Sequence, residues 1–284
     1  MLPAIRARPP RRAMTKAANF TLLVNTSDGF EDCWQPFFHL LTQHWPHCDV
    51  PILLNTENKD WSYPNLSICC SRVQAFSRSS QRLSWSECLL AALEQVKTPI
   101  VLYMQEDYFV EKPIDVDLIQ DLAVEMMTRP EIKHIGLTHF GSEGPFEVTE
   151  DPRLWRIPRR GKYRVSTQAG LWRVDTLRSY LCPGESGWMF EIFGTRRAWK
   201  REELFMTLNR DLFGLQSPAI YYLHTGILKG KWHTGIPEVF ARHGIAMDFQ
   251  RRGFYRPKPW LLRKVDVARK LAKRPLYALK ALMG

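Results

Sequence analysis

The 284-residue sequence contains no unbroken apolar run approaching the ~18 residues that a membrane-spanning helix needs. Its six cysteines, Cys33, Cys48, Cys69, Cys70, Cys88 and Cys182, include no CxxC pair and no cluster with histidine at zinc spacing. Reduced core thiols in a cytoplasmic protein are therefore expected. Nothing repeats at a fixed period, which excludes solenoids and propellers. Acids are scarce at both ends. Residues 1–16 hold five Lys or Arg and no acid, and residues 250–284 hold eleven against the single acid Asp266. The formal net charge of +11 thus belongs to two tails, and the middle of the chain is left at −4. Such a charge first suggests nucleic-acid binding, yet the basic residues avoid the middle and form no recognisable nucleic-acid motif, so no nucleic-acid partner is expected. Prolines and arginines interrupt what would be a signal-peptide core at the start. Residues 1–18 are expected to be a disordered basic extension, with Met14 as an alternative start.

What is present is enough apolar residue, 45% of the chain, for one large domain or two small ones. The organising stretch is residues 98–109, TPIVLYMQEDYF. A Pro-marked entry leads into Ile100, Val101, Leu102, Tyr103 and Met104, a strand buried on both faces. It ends in two acids. In an open α/β sheet Glu106 and Asp107 fall at the carboxyl end of a central strand, where such sheets bind ligands. A buried pair of adjacent acids is costly, so the two are expected to face solvent, a metal or both.

Around this strand the order is strand (19–25), helix, strand (50–55), a βαβ unit that implies a parallel sheet and a right-handed crossover. Asp32 is the expected cap of the first helix, and Pro36 is tolerable there only within the first turn. Ser84 and Glu87 have capping-box spacing ahead of the helix that feeds the acidic strand. Asp115 caps another helix, and residues 132–137 form the next strand. Residues 141–161 read as a long loop or an added hairpin, of the kind that carries function. A strand over 168–174 with a short helix, a loop into a helix at 184–191, a last strand over 220–224 and a basic loop over 226–235 complete the middle.

The set Asn25-Thr26, Asn55-Thr56-Glu57, Gln105-Glu106-Asp107, Gln168-Ala169-Gly170-Leu171-Trp172 and Gly184-Glu185-Ser186, with Trp188 and Glu191 following, resembles the nucleotide-sugar glycosyltransferases of the GT-A fold. It is similar to the family 2 type of bacterial polysaccharide clusters, over roughly residues 19–245. The resemblance implies an α/β fold: a GT-A, Rossmann-like, mixed and mostly parallel sheet flanked by helices. That domain would occupy residues 19–249, followed by a basic helical tail over 250–284. It implies an inverting enzyme that uses Mn2+ or Mg2+, a nucleotide-sugar donor with a UDP-sugar favoured, and a saccharide acceptor for surface polysaccharide synthesis. Gln105-Glu106-Asp107 matches the position of the family's Asp-x-Asp motif, although Gln105 and Glu106 depart from its commoner aspartates.

By that resemblance Asp107 is the expected metal ligand, with His224 as a second. Asn25, Thr26, Glu57, Arg82, Trp85, Glu106, Lys229 and Lys231 would contact the donor. Glu191 is the expected general base, with Glu185 as the competitor. Each has a plainer reading: Glu106 and Asp107 as solvated acids at a strand end, Glu191 or Glu185 as a helix-terminal acid, Trp85 as core and His224 as a structural residue. The alternative functions are a non-catalytic module of the same fold, motivated by the atypical Gln105-Glu106, and behind it a basic nucleic-acid-binding protein, motivated by the net charge. The tail places apolar residues near helical spacing among lysines and arginines, which suggests an anchor on an anionic membrane surface, here the inner face of the plasma membrane.

Overall fold

The computed structural model describes residues 19–78, 80–257 and 259. The amphipathic tail therefore lies outside the described residues for most of its length, and the N-terminal extension for all of it. The chain starts with β1 (Phe20–Asn25), every residue of which is buried. A 3-10 turn over Asp28–Phe30 leads into α1 (Glu31–His44). Asp32 is not the cap expected: the helix starts one residue earlier, Phe30 precedes it, and the Asp32 carboxylate pairs with Arg252. Pro36 accordingly lies two residues deeper than expected, past the first turn, where it leaves the Asp32 carbonyl without its helical N–H. Its ring is buried with Trp34, Phe37, Phe38 and Leu41, so packing offsets the lost bond.

β2 (Ile52–Asn55) runs parallel to β1 and is followed by β3 (Ile68–Cys70), a short half-exposed strand without apolar periodicity. The Ser84–Glu87 capping box forms at the start of α2 (Trp85–Leu93). β4 (Ile100–Gln105) then pairs parallel with β1, Asn25 opposite Gln105. Asp115 caps α3 (Val116–Thr128) through the Leu118 N–H at 3.0 Å, and β5 (Ile132–Gly136) follows. The 141–161 segment contains the added hairpin, β6 (Glu147–Val148) and β7 (Leu154–Arg156). Next come β8 (Gly170–Arg173), α4 (Val174–Tyr180), α5 (Gly187–Ala198), β9 (Leu204–Leu208) and α6 (Arg210–Phe213). The hairpin β10 (Ile227–Leu228) and β11 (Lys231–Trp232) occupies the basic loop, and α7 (Ile236–Arg242) closes the domain.

The large sheet has the order β3-β2-β1-β4-β8-β5-β9-β7-β6. It is mixed and mostly parallel, with β8 running antiparallel between β4 and β5. Alternate residues of β1 face opposite layers: Leu22 and Val24 join α1, α3 and α7, while Leu23 joins α2, α4 and α5. This is the α/β class expected. The strand expected over 220–224 does not form. Tyr222 makes one bridge to Val110, beyond the end of β4, and its ring is buried in the core. The thiols are not all core: Cys33 and Cys88 are buried, whereas Cys69 is exposed. Residues 250–255 pack on the domain. Trp232 donates to Gly253, Tyr255 donates to Trp232, and Phe249 stacks on Phe240. No described helix is long and apolar enough to cross a membrane.

Candidate active site

After β1 the chain turns to β2 on one side of the sheet, and β4 joins β1 on the other. The crevice between the carboxyl ends of β1 and β4 is therefore a topological switch point, where open sheets bind ligands. A cleft of about 1010 Å³ opens there. Its wall includes Asn25, Thr26, Trp85, Glu106, Asp107, Glu191, His224 and Lys229, so eight of the twelve expected site residues meet in one place. Among the described residues the other four lie off this wall.

Three of those four have other partners. Glu57 takes a two-pronged contact from Arg82 at 2.7 and 3.0 Å. Glu185 is 2% exposed and takes two bonds of 2.8 Å from Arg197. Lys231 is an exposed residue of β11.

Asn25 and Thr26 are held firmly. Asn25 Oδ1 accepts from Asn55 at 2.7 Å, and its amide donates to Tyr103 at 3.2 Å. Thr26 Oγ1 accepts from the Trp34 indole at 2.9 Å. These side chains shape the wall more than they reach into it. Trp85 packs on Phe190 with ring centroids 5.5 Å apart, so it is at once core and wall.

Glu106 and Asp107 are not the solvated acids of the plainer reading. Both are at least nine-tenths buried, and burial raises both carboxyls above their ordinary range. For Glu106 the neighbouring charge of Asp107 adds to the effect, against smaller contributions from Arg252 and Thr26. Asp107 Oδ2 accepts from the Thr225 hydroxyl at 2.5 Å and from the Ile227 N–H at 2.9 Å. Its Oδ1 is buried with no hydrogen-bond partner. A carboxylate oxygen left uncompensated on the wall of a cleft fits a cation. Among the described residues no three His, Cys, Asp or Glu side chains converge as a metal cluster. The donor set therefore suits a hard ion such as Mg2+ or Mn2+ that takes one or two carboxylates and completes its shell with phosphate oxygens and water. His224 is exposed on the wall beside the Phe140 ring, at 4.9 Å between centroids.

Glu191, on α5, is held from the other side of the cleft's lining. Ser166 Oγ, Thr167 N and Thr167 Oγ1 donate to its Oε1 at 3.2, 2.8 and 2.9 Å. Oε2 is left as the oxygen with capacity for a further donor. The 166–169 segment is fixed in turn. Tyr108 donates to the Thr167 carbonyl at 3.0 Å, Tyr222 donates to Gln168 at 2.9 Å, and the two phenol rings stack at 4.6 Å. Tyr108, Ser166, Thr167 and Thr225 were not singled out from the sequence. Their roles arise from contacts across 24 to 118 residues, for which local pattern holds no signal.

No protein-family model and no curated protein matches this sequence. Several solved structures are similar to it. A mycobacterial protein shares 12% identity, with 84% of this chain and 82% of that chain covered, at a TM-score of 0.45. Residues 1–349 of TarS from S. aureus share 14% over 66% of this chain and 57% of theirs, at a TM-score of 0.40. Glucosyl-3-phosphoglycerate synthase from Mycobacterium tuberculosis, in complex with Mn2+ and uridine-diphosphate-glucose, shares 13% over 81% and 80%, at 0.41. Similarity at this level says nothing of activity.

Proposed function

We propose that the protein is a metal-dependent, inverting glycosyltransferase that moves one sugar from a nucleotide-sugar to a saccharide acceptor. The observation that supports it most is the unpartnered Asp107 Oδ1 in the same switch-point cleft as Glu191. Asp107, with Glu106 beside it, would hold Mn2+ or Mg2+, which when bound supplies Lewis-acid stabilisation of the leaving diphosphate. Lys229, exposed on the same wall, adds positive charge near that group. Glu191 Oε2 takes the proton from the acceptor hydroxyl as its oxygen attacks the anomeric carbon from the face opposite the diphosphate. Ser166 and Thr167 keep that carboxylate oriented through Oε1. A UDP-sugar is the favoured donor. A lipid-linked acceptor at the cytoplasmic face of the membrane is what the family resemblance implies, and the basic composition of residues 250–284 supports an anchor on an anionic surface there.

The test is calorimetric titration of UDP, GDP, CMP and dTDP, each with and without manganese. One nucleotide should bind in a manganese-dependent manner and so name the base. If a folded protein binds none, the enzyme reading is overturned. Asp107→Asn removes the charge that the cation needs while keeping the side chain's shape, so manganese should no longer improve nucleotide binding. An unchanged manganese effect would take Asp107 out of the site.

A further inference from the structure

Asp107 is wrapped by three consecutive residues that lie more than a hundred positions away in the chain. The Thr225 hydroxyl and the Ile227 N–H end on Oδ2, and the Gly226 N–H ends on the Asp107 carbonyl at 3.0 Å. We propose that Thr225 is a positioning residue for cation binding: its turn commits one oxygen of Asp107 to the protein and leaves Oδ1 as the single oxygen offered to a divalent ion. This inference rests on the cation role of Asp107 given above.

The hydroxyl has one proton to give. Its contact with the carboxylate is 2.5 Å, against 3.0 Å to the Ile227 carbonyl, so the proton belongs to Asp107. Two donors on Oδ2 fix the carboxylate plane, as hydrogen-bonded partners behind metal ligands do. A carboxylate free to rotate would offer both oxygens and hold neither in place. The close approach depends on Gly226. A Cβ there would lie 2.4 Å from the Phe109 ring and 2.8 Å from the Asp107 carbonyl oxygen, so no side chain fits. The same turn runs on into the β10–β11 hairpin, whose Lys229 sits on the cleft wall over the Tyr255 ring at 5.8 Å. One tether thus sets both the ligand oxygen and the basic group beside it.

The experiment titrates the full chain with Mn2+ alone and reads free ion by electron paramagnetic resonance, for the wild type, Thr225→Val and Thr225→Ser. Valine keeps the shape and loses the donor, so its Mn2+ affinity should fall by about tenfold or more. Serine keeps the donor and should bind as the wild type does. Should the valine variant fail to fold, Thr225→Ala carries the same expectation. Wild-type affinity in the valine or alanine variant, even with a lowered melting temperature, would reduce Thr225 to a structural residue and overturn the proposal alone. A folded wild type that binds no Mn2+ would overturn the cation reading and this proposal together.

Discussion

Glutamine in place of Glu191 is expected to slow sugar transfer by about 10³-fold while nucleotide affinity stays nearly unchanged. The amide oxygen can keep the donors from Ser166 and Thr167, which puts an NH2 group where Oε2 stood. An amide there donates and takes up no proton. The chemical step loses its proposed base, whereas Asn25, Thr26, Glu106 and Asp107, the proposed nucleotide side, are untouched. Single-turnover rates set beside calorimetric affinities make the comparison. Transfer at the wild-type rate would remove Glu191 from the chemistry, and a matching loss of affinity would make it part of the donor site.

The second large effect concerns Glu185, which is six residues from Glu191 in the chain and serves a different purpose. Arg197→Met is expected to destabilise the fold by about 3–5 kcal/mol, because it leaves the Glu185 carboxylate buried without a counter-charge. Arg197 also donates to the Tyr180 carbonyl at 2.7 Å, so the pair ties α5 to the end of α4. Urea unfolding would measure the loss. Adding Glu185→Leu should restore much of the stability, since two apolar residues replace the pair without stranding a charge. A double variant no more stable than the single one would contradict this account. Buried at 2% exposure, held by one guanidinium and off the cleft wall, Glu185 is not placed to meet an acceptor hydroxyl in that cleft.

Much of the fold was legible because it depends on local pattern. The apolar run before Gln105 specifies a central strand, and Ser84 with Glu87 marks a helix start that forms as written. β3 escaped notice because it is half-exposed and only three residues long, and β9 because its five apolar-rich residues follow an unpatterned charged stretch. Residues 220–224 misled for the opposite reason. Their aromatic character reflects burial against Tyr108 and Phe140, with no ladder to join. At the site, Asp107 and Glu191 stood out as acids at element ends. Whether an acid there is spent or available is decided by distant donors, Arg197 in one case, Thr225 and Thr167 in the others.

The reversed direction of β8 has a consequence for how such a molecule can change. Parallel strands deliver only their exits to the ligand rim, but β8 runs the other way and brings its entry there. Residues 166–168, just ahead of that entry, therefore reach the rim at the end of a long connection from β5 that also contains Gly141, Glu143 and Tyr163 of the cleft wall. Insertions or substitutions along that connection would redraw the wall around Glu191 without shifting the register of β1 against β4. One half of the cleft is thereby free to acquire a new specificity while the half that carries Asp107 stays as it is.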